Sequence, residues 1–142
     1  MKALVQRVRM GRVTVADVCV GAIGPGLVLL AGFRAGDDDP SLRFCADKCA
    51  HLRIFADDDG KMNRSLLETS RQALLVPQFT LYADCRRGRR PSFNEAAAPP
   101  AAAALFERFV ELCVETGMEV ARGRFGAHML VELVNDGPVT IM

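Results

Sequence analysis

The run Leu27-Val28-Leu29-Leu30-Ala31-Gly32 carries no polar side chain and follows directly on Gly24-Pro25-Gly26. Gly-Pro-Gly is turn chemistry, and a short apolar run bounded by a turn reads as a fully buried strand. A strand of that kind obliges the rest of the chain to supply a cover for each face. The run is far short of the roughly 18 residues that would cross a bilayer. The opening MKALVQRVRM breaks its apolar residues with charges and has no small-residue cleavage site, so it does not read as a signal peptide. The expected setting is cytoplasmic, with no membrane partner.

The cover is legible on both sides of the run. ALVQRV and RVTVADVCV alternate apolar and polar residues with Gly11 between them, which predicts an antiparallel hairpin. After the run, GDDDPS opens a helix over 40–53, with Asp39 as cap and Pro40 at the first helical position. Leu42, Cys45, Cys49 and Leu52 would face inward. ADDDGKMNRS is a polar loop turning at Asp59-Gly60. It resembles a calcium loop only superficially, because a glycine at the sixth position would make Phe55 the first ligand. A strand is predicted over 72–82 and a second helix over 100–116, stopped by Gly117. MEVARGRF, HMLVELVN and VTIM are the remaining strand candidates. With 142 residues and neither repeat nor linker, residues 1–142 read as one domain, large enough for a core without staples. The order predicts an α+β fold, a single domain with a largely antiparallel, barrel-like sheet and two main helices.

Chemistry is harder to find. No G-x-S-x-G, H-E-x-x-H or P-loop pattern occurs. The five cysteines, 19, 45, 49, 85 and 113, are odd in number and lack a secretory context, which argues against a disulfide framework. Cys45 and Cys49 share a helical face, but His51 lies about 200° round from Cys49. They read as small apolar residues, and neither metal nor cofactor is expected. A Cys85–His128 nucleophile pair rests on residue type alone. The net charge of +1 leaves any nucleic-acid contact to a local patch, and the one dense patch is Arg86, Arg87, Arg89 and Arg90. It is either a solvated turn or a phosphate contact, flanked by Tyr82 and Phe93 for base stacking. Gln78 and Thr80, two apart on the predicted strand, form either a solvated face or a pocket wall, with Leu75, Phe79 and Leu81 opposite. Asn135-Asp136-Gly137-Pro138 is either a plain turn or a unit that presents bare backbone carbonyls. X-Pro bonds are cis in roughly 5% of cases.

Taken together, VQRV (5–8), GxIGPGLxxLxG (21–32), LRIF (52–55), DGKMN (59–63), QFTLYADCRxGRRPSF (78–93), GRFGA (123–127) and NDGPVT (135–140) closely resemble the D-aminoacyl-tRNA deacylase family. The match runs in register over essentially the whole chain, and QFTL and NDGPVT fall in the family's two motif regions. The resemblance implies hydrolysis of the ester joining a D-amino acid or glycine to the terminal adenosine of tRNA. It implies a homodimer with active sites at the subunit interface, the aminoacyl-tRNA acceptor end as partner, and neither membrane nor DNA. Gln78, Phe79 and Thr80 would form the catalytic segment, with Thr80 at the site but not assigned as nucleophile. Gly137 and Pro138, joined by a cis bond, would enter the neighbouring subunit's pocket and exclude L-amino acids. Pro77, Phe125 and Ala102 would line that pocket, Arg7 would hold the Gly-Pro unit, and Arg86, Arg87, Arg89 and Arg90 would meet tRNA phosphates. Two positions depart from the family pattern. Pro77 replaces a serine and removes a hydroxyl and a backbone donor. His128 stands where aspartate is common. Pro77 keeps two alternatives open: a deacylase with relaxed chirality, and a tRNA-end binding module without catalysis. A thiol hydrolase using Cys85 ranks third.

Overall fold

The computed structural model describes residues 1–142. Its longest strand, β1 (Lys2–Val15), passes straight through Gly11. The reversal falls instead at Ala16-Asp17, where both residues have positive φ (45° and 63°). That is the backbone of a type I′ hairpin turn, formed here without the usual Gly or Asn signal. It leads into β2 (Val18–Ile23), antiparallel to the second half of β1. A bend at Gly24-Pro25 then delivers the apolar run as β3 (Gly26–Gly32), antiparallel to the first half of β1.

Helix α1 (Asp39–His51) carries the chain over to the strand pair β4 (Phe55–Ala56) and β5 (Met62–Arg64), and on to β6 (Gln72–Pro77). Helix α2 (Pro99–Glu115) carries it from β6 to β7 (Glu119–Arg122). Both crossovers join parallel neighbours, β3 to β6 and β6 to β7, which cannot be linked by a tight turn. The last strand, β8 (Leu130–Ile141), lies antiparallel along β1. The fold is thus α+β, with two helices and a barrel-like sheet that mixes antiparallel and parallel pairs. A Cβ built on Gly21 of β2 would lie 2.6 Å from the Arg122 carbonyl oxygen of β7, so the sheet curls until its ends meet.

Both faces of β3 are covered, as its composition demands. Leu27, Leu29 and Ala31 join the core packed under the helices, with Leu42, Phe106, Phe109 and Leu112. Val28 points the other way, into a second cluster with Val8, Val13, Ile23, Leu74 and Val76. Strand β6 divides likewise, Ala73 and Leu75 to one cluster, Leu74 and Val76 to the other. Each such leucine, valine, isoleucine or phenylalanine contributes roughly 1.5–3 kcal/mol on full burial.

Helix α1 is capped one residue earlier than predicted. Asp38 is the N-cap, its carboxylate accepting from the Ser41 N–H at 3.1 Å, while the Ser41 hydroxyl accepts from the Asp38 N–H. Asp39 lies in the first turn and pairs with Arg108 of α2. The buried face of α1 is Leu42, Ala46, Cys49 and Ala50; Cys45 and Leu52 are only half-buried. Cys49 and Cys113 sit in the core, and burial pushes the Cys113 thiol up.

Two glycines separate close packing from open space. A Cβ on Gly26 would lie 2.0 Å from the Gln72 carbonyl oxygen, backbone that cannot yield, whereas one on Gly24 would meet nothing within 4 Å. Gly26→Ala is expected to destabilise by about 3 kcal/mol or more. Gly24→Ala should stay within about 0.5 kcal/mol. Thermal denaturation of the pair measures the difference, and equal melting temperatures would contradict it.

Candidate active site

Strand β6 ends at Pro77, which has no N–H to continue the ladder. Gln78 donates its N–H to the Ala31 carbonyl at 2.7 Å, and residues Phe79–Tyr82 wind into a 3₁₀ turn. The strand predicted over 72–82 is therefore cut short, and alternation does not govern 78–82. Leu75 is fully buried, Leu81 half-buried, and Phe79, placed with them by alternation, is 53% exposed. Gln78 and Thr80 are still brought together, by the turn: the Gln78 amide donates to the Thr80 hydroxyl.

This turn forms one wall of a cavity of about 610 Å³. Pro77, Gln78, Phe79, Ala102 and Phe125 all line it, together with Phe93, His128 and Val131. Phe79 and Phe93 meet edge to face at 5.0 Å, and Phe125 leans on the buried Phe106 at 6.5 Å. Phe93 was legible only as a flank of the arginine run, and His128 only as half of a Cys85–His128 pair. Pattern reasoning had no means of folding those segments onto the end of β6.

The four arginines lie on a loop that leaves the 3₁₀ turn and returns at Phe93. Reciprocal backbone bonds between Asp84 and Ser92, at 2.8 and 3.0 Å, pinch its base, and Gly88 with φ +69° turns its tip. Arg86, Arg87, Arg89 and Arg90 are all exposed. Arg86 clasps Asp84 with Nε and Nη2, both at 2.8 Å, and holds that carboxyl below the usual carboxylate range. Arg87, Arg89 and Arg90 have no carboxylate partner. The loop thus holds three guanidinium groups without a carboxylate partner, between the 3₁₀ turn and Phe93 of the cavity wall, while Arg86 borders a separate cleft. Tyr82 cannot stack on a base as expected. It is 5% exposed, with the Lys2 ammonium 4.5 Å from its ring centre. Cys85 opens into a separate polar cleft with Lys2 and Glu95, so it does not share a cavity with His128.

Gly137-Pro138, a cis peptide, interrupts the pairing of β8 with β1. The Asn135 side chain closes the loop: its carbonyl accepts from the Val139 N–H at 2.8 Å, and its amide donates to the Val139 carbonyl at 3.1 Å. Arg7, its side chain only 14% exposed, donates from Nε to the Asp136 carbonyl at 2.9 Å and from Nη1 to the Ile54 carbonyl. Gly137 has φ +141°, and a Cβ there would lie 2.7 Å from Val139 Cγ2 and 3.0 Å from Arg7 Nη2. The pair is exposed and does not line the cavity of its own protomer.

Residues 4–142 match the family model described as D-Tyr-tRNA(Tyr) deacylase. The D-aminoacyl-tRNA deacylase of Heliobacterium modesticaldum is 56% identical over 142 residues, covering 100% of this chain and 95% of the relative. That of Shouchella clausii is 54% identical, covering 100% and 97%. Among solved structures, a c-Myc DNA unwinding element binding protein superposes with a TM-score of 0.93 at 36% identity, covering 99% and 96%. A probable eukaryotic D-amino acid tRNA deacylase shares the fold at TM-score 0.85 and 23% identity, covering 98% and 96%.

Removal of the Asn135 side chain frees both backbone groups of Val139. Two lost hydrogen bonds amount to about 1–3 kcal/mol, and every 1.4 kcal/mol is tenfold in an opening equilibrium. In Asn135→Ala, amide exchange at Val139 should accelerate by about fivefold or more while the β3 amides keep their protection. Unchanged exchange at Val139 would show that the loop is held by something other than this side chain.

Proposed function

Because this chain belongs to the D-Tyr-tRNA(Tyr) deacylase family, we propose that it hydrolyses the ester between a D-amino acid, or glycine, and the terminal adenosine of tRNA, as a cytoplasmic proofreading enzyme. The observation that carries this reading is the cavity at the end of β6. Its wall is mostly apolar and takes in Gln78 and Phe79 of the 3₁₀ turn, while Thr80 stays outside the lining, and the arginine loop runs from that turn to Phe93 of the same wall. The aminoacyl group enters against Pro77, Ala102 and Phe125, and the acceptor end leaves toward Arg86, Arg87, Arg89 and Arg90, whose planar forks suit phosphate.

The chemistry asks little of the protein. An aminoacyl ester is already activated, and the neighbouring ribose 2′-hydroxyl assists the attacking water. Water adds to the ester carbonyl, the C–O bond to the ribose breaks, and the products are the free amino acid and tRNA with its hydroxyl restored. The first N–H groups of a helical turn have no partner within the turn, so those of Phe79 and Thr80 are available to the developing oxyanion. The Gln78 amide, bonded to the Thr80 hydroxyl, steadies the turn in which those donors lie. Orientation and oxyanion stabilisation then supply the rate.

Chiral selection is assigned to Gly137-Pro138 of a partner protomer. Leu130, Val131, Val134 and Ile141 are exposed along β8, and Val131 also borders the cavity. A second copy covering that apolar face would bring its own Gly137-Pro138 loop toward this cavity, where bare carbonyls would reject an L side chain. Pro77 in the cavity wall supports a second reading, a deacylase with relaxed chirality.

A deacylation time course with D-Tyr-tRNA, L-Tyr-tRNA and Gly-tRNA tests these readings. Loss of the D-ester and the glycine ester with the L-ester spared is expected. Loss of all three would favour relaxed chirality, and loss of none would leave a tRNA-end binding module. Cys85→Ala should keep its activity; abolition would revive a thiol mechanism. Gly137→Ala, strained in φ and crowded by Val139 and Arg7, should lower the rate on the D-ester by at least about tenfold, a change of about 1.4 kcal/mol in the barrier. Replacing the four arginines with Ala should weaken tRNA binding and flatten its salt dependence, at roughly 0.7–0.9 per lost phosphate contact. Unaltered affinity at low salt would remove the phosphate role assigned to them.

A further inference from the structure

His128 is the one ionisable side chain lining the cavity; the rest of the wall is alanine, proline, glycine, valine, methionine, phenylalanine and the Gln78 amide. That amide is already engaged with Thr80. The imidazole of His128, by contrast, makes no hydrogen bond or ion pair, unlike that of His51, whose Nδ1 lies 2.9 Å from the Asp47 carbonyl. It is exposed, just beyond the turn at Gly126 (φ +73°). Arg124, on the same loop, is also exposed and has no carboxylate partner. A free donor with nearby positive charge therefore stands at the rim of an otherwise apolar cavity.

An aminoacyl ester brings groups that apolar walls cannot satisfy. Its acyl end belongs in the cavity, but the ribose and the 5′-phosphate of the terminal nucleotide must emerge toward water, where His128 stands. Resting on the functional reading above, the geometry points to His128 as the residue that holds the 5′-phosphate of the terminal nucleotide as it leaves the cavity. An imidazole offers an N–H in either protonation state and two when protonated, so it is suited to a phosphate oxygen. An ionised aspartate at this position would offer no such donor. Nothing in the fold is tied to this side chain, so its removal should leave stability intact.

The test uses three esters of D-tyrosine: D-Tyr-tRNA, the 3′-ester of adenosine 5′-monophosphate, and the 3′-ester of adenosine, which lacks the phosphate. His128→Ala is expected to raise KM about tenfold for the first two, the scale of one hydrogen bond to a charged group. It should leave kcat within about twofold and the adenosine ester unaffected. His128→Gln should recover part of the loss, and His128→Asp, which has no donor, should recover none. Melting temperatures of the three variants should match the wild type. An equal effect on all three esters, or none on any, would overturn the assignment. A wild-type protein inactive on every ester would overturn the functional reading first and this inference with it, whereas an active wild type with indifferent variants overturns only the inference.

Discussion

Close backbone contact between strands is the constraint on which the rest of this structure depends. Gly26 lies against the Gln72 backbone and Gly21 against Arg122. Any side chain at either position would force the strands apart. With both contacts in place, β6 is drawn in beside β3 and β7 meets β2, and the sheet closes around Val28, Leu74 and Val76. Closure also fixes where β6 ends. The 125–131 segment that follows β7 is thereby folded back over that end, and the cavity is the space left between them. The position of Gln78 is thus a consequence of glycines three and four strands away in sequence order as much as of its own motif.

That dependence explains what could and could not be read from the chain. The two-sided burial of Leu27–Ala31 followed from the absence of polar residues, α1 from its Asp-Pro start and α2 from the stop at Gly117. The turn at Ala16-Asp17 was invisible because the sheet's twist imposes positive φ on residues that do not advertise it. The end of β6 was misplaced by five residues' worth of apolar character, since Phe79, Leu81 and Tyr82 look like strand while Pro77 stops the ladder. Pro77, Gln78, Phe79, Ala102 and Phe125 were identified by resemblance and do gather at one cavity. Phe93 and His128 gather there too, and no local pattern could have announced it. Arg7 is a further case: in an alternating strand it looks like one more exposed basic residue, yet its side chain is largely buried.

The site divides its tasks between rigid and projecting parts. A 3₁₀ turn anchored to the end of a buried strand offers backbone donors in a fixed place. The charged loop and the Gly137-Pro138 loop extend from opposite parts of the sheet, each pinned at its base by paired contacts, Asp84 with Ser92 and Asn135 with Val139. Neither loop needs a large side-chain core of its own. Under the proposed function, a protein arranged this way contributes placement rather than a nucleophile.

The grip of Arg7 has one more implication. Its two close acceptors are the main-chain carbonyls of Asp136 and Ile54, not side chains. Every residue type carries a carbonyl, so position 54 can drift among apolar residues without disturbing the clasp, while position 7 has no substitute that spans both acceptors. Dependence of this kind is one-sided. It leaves no pair of positions that must change together, and a search for correlated substitutions would pass over the contact that joins the start of the chain to its end.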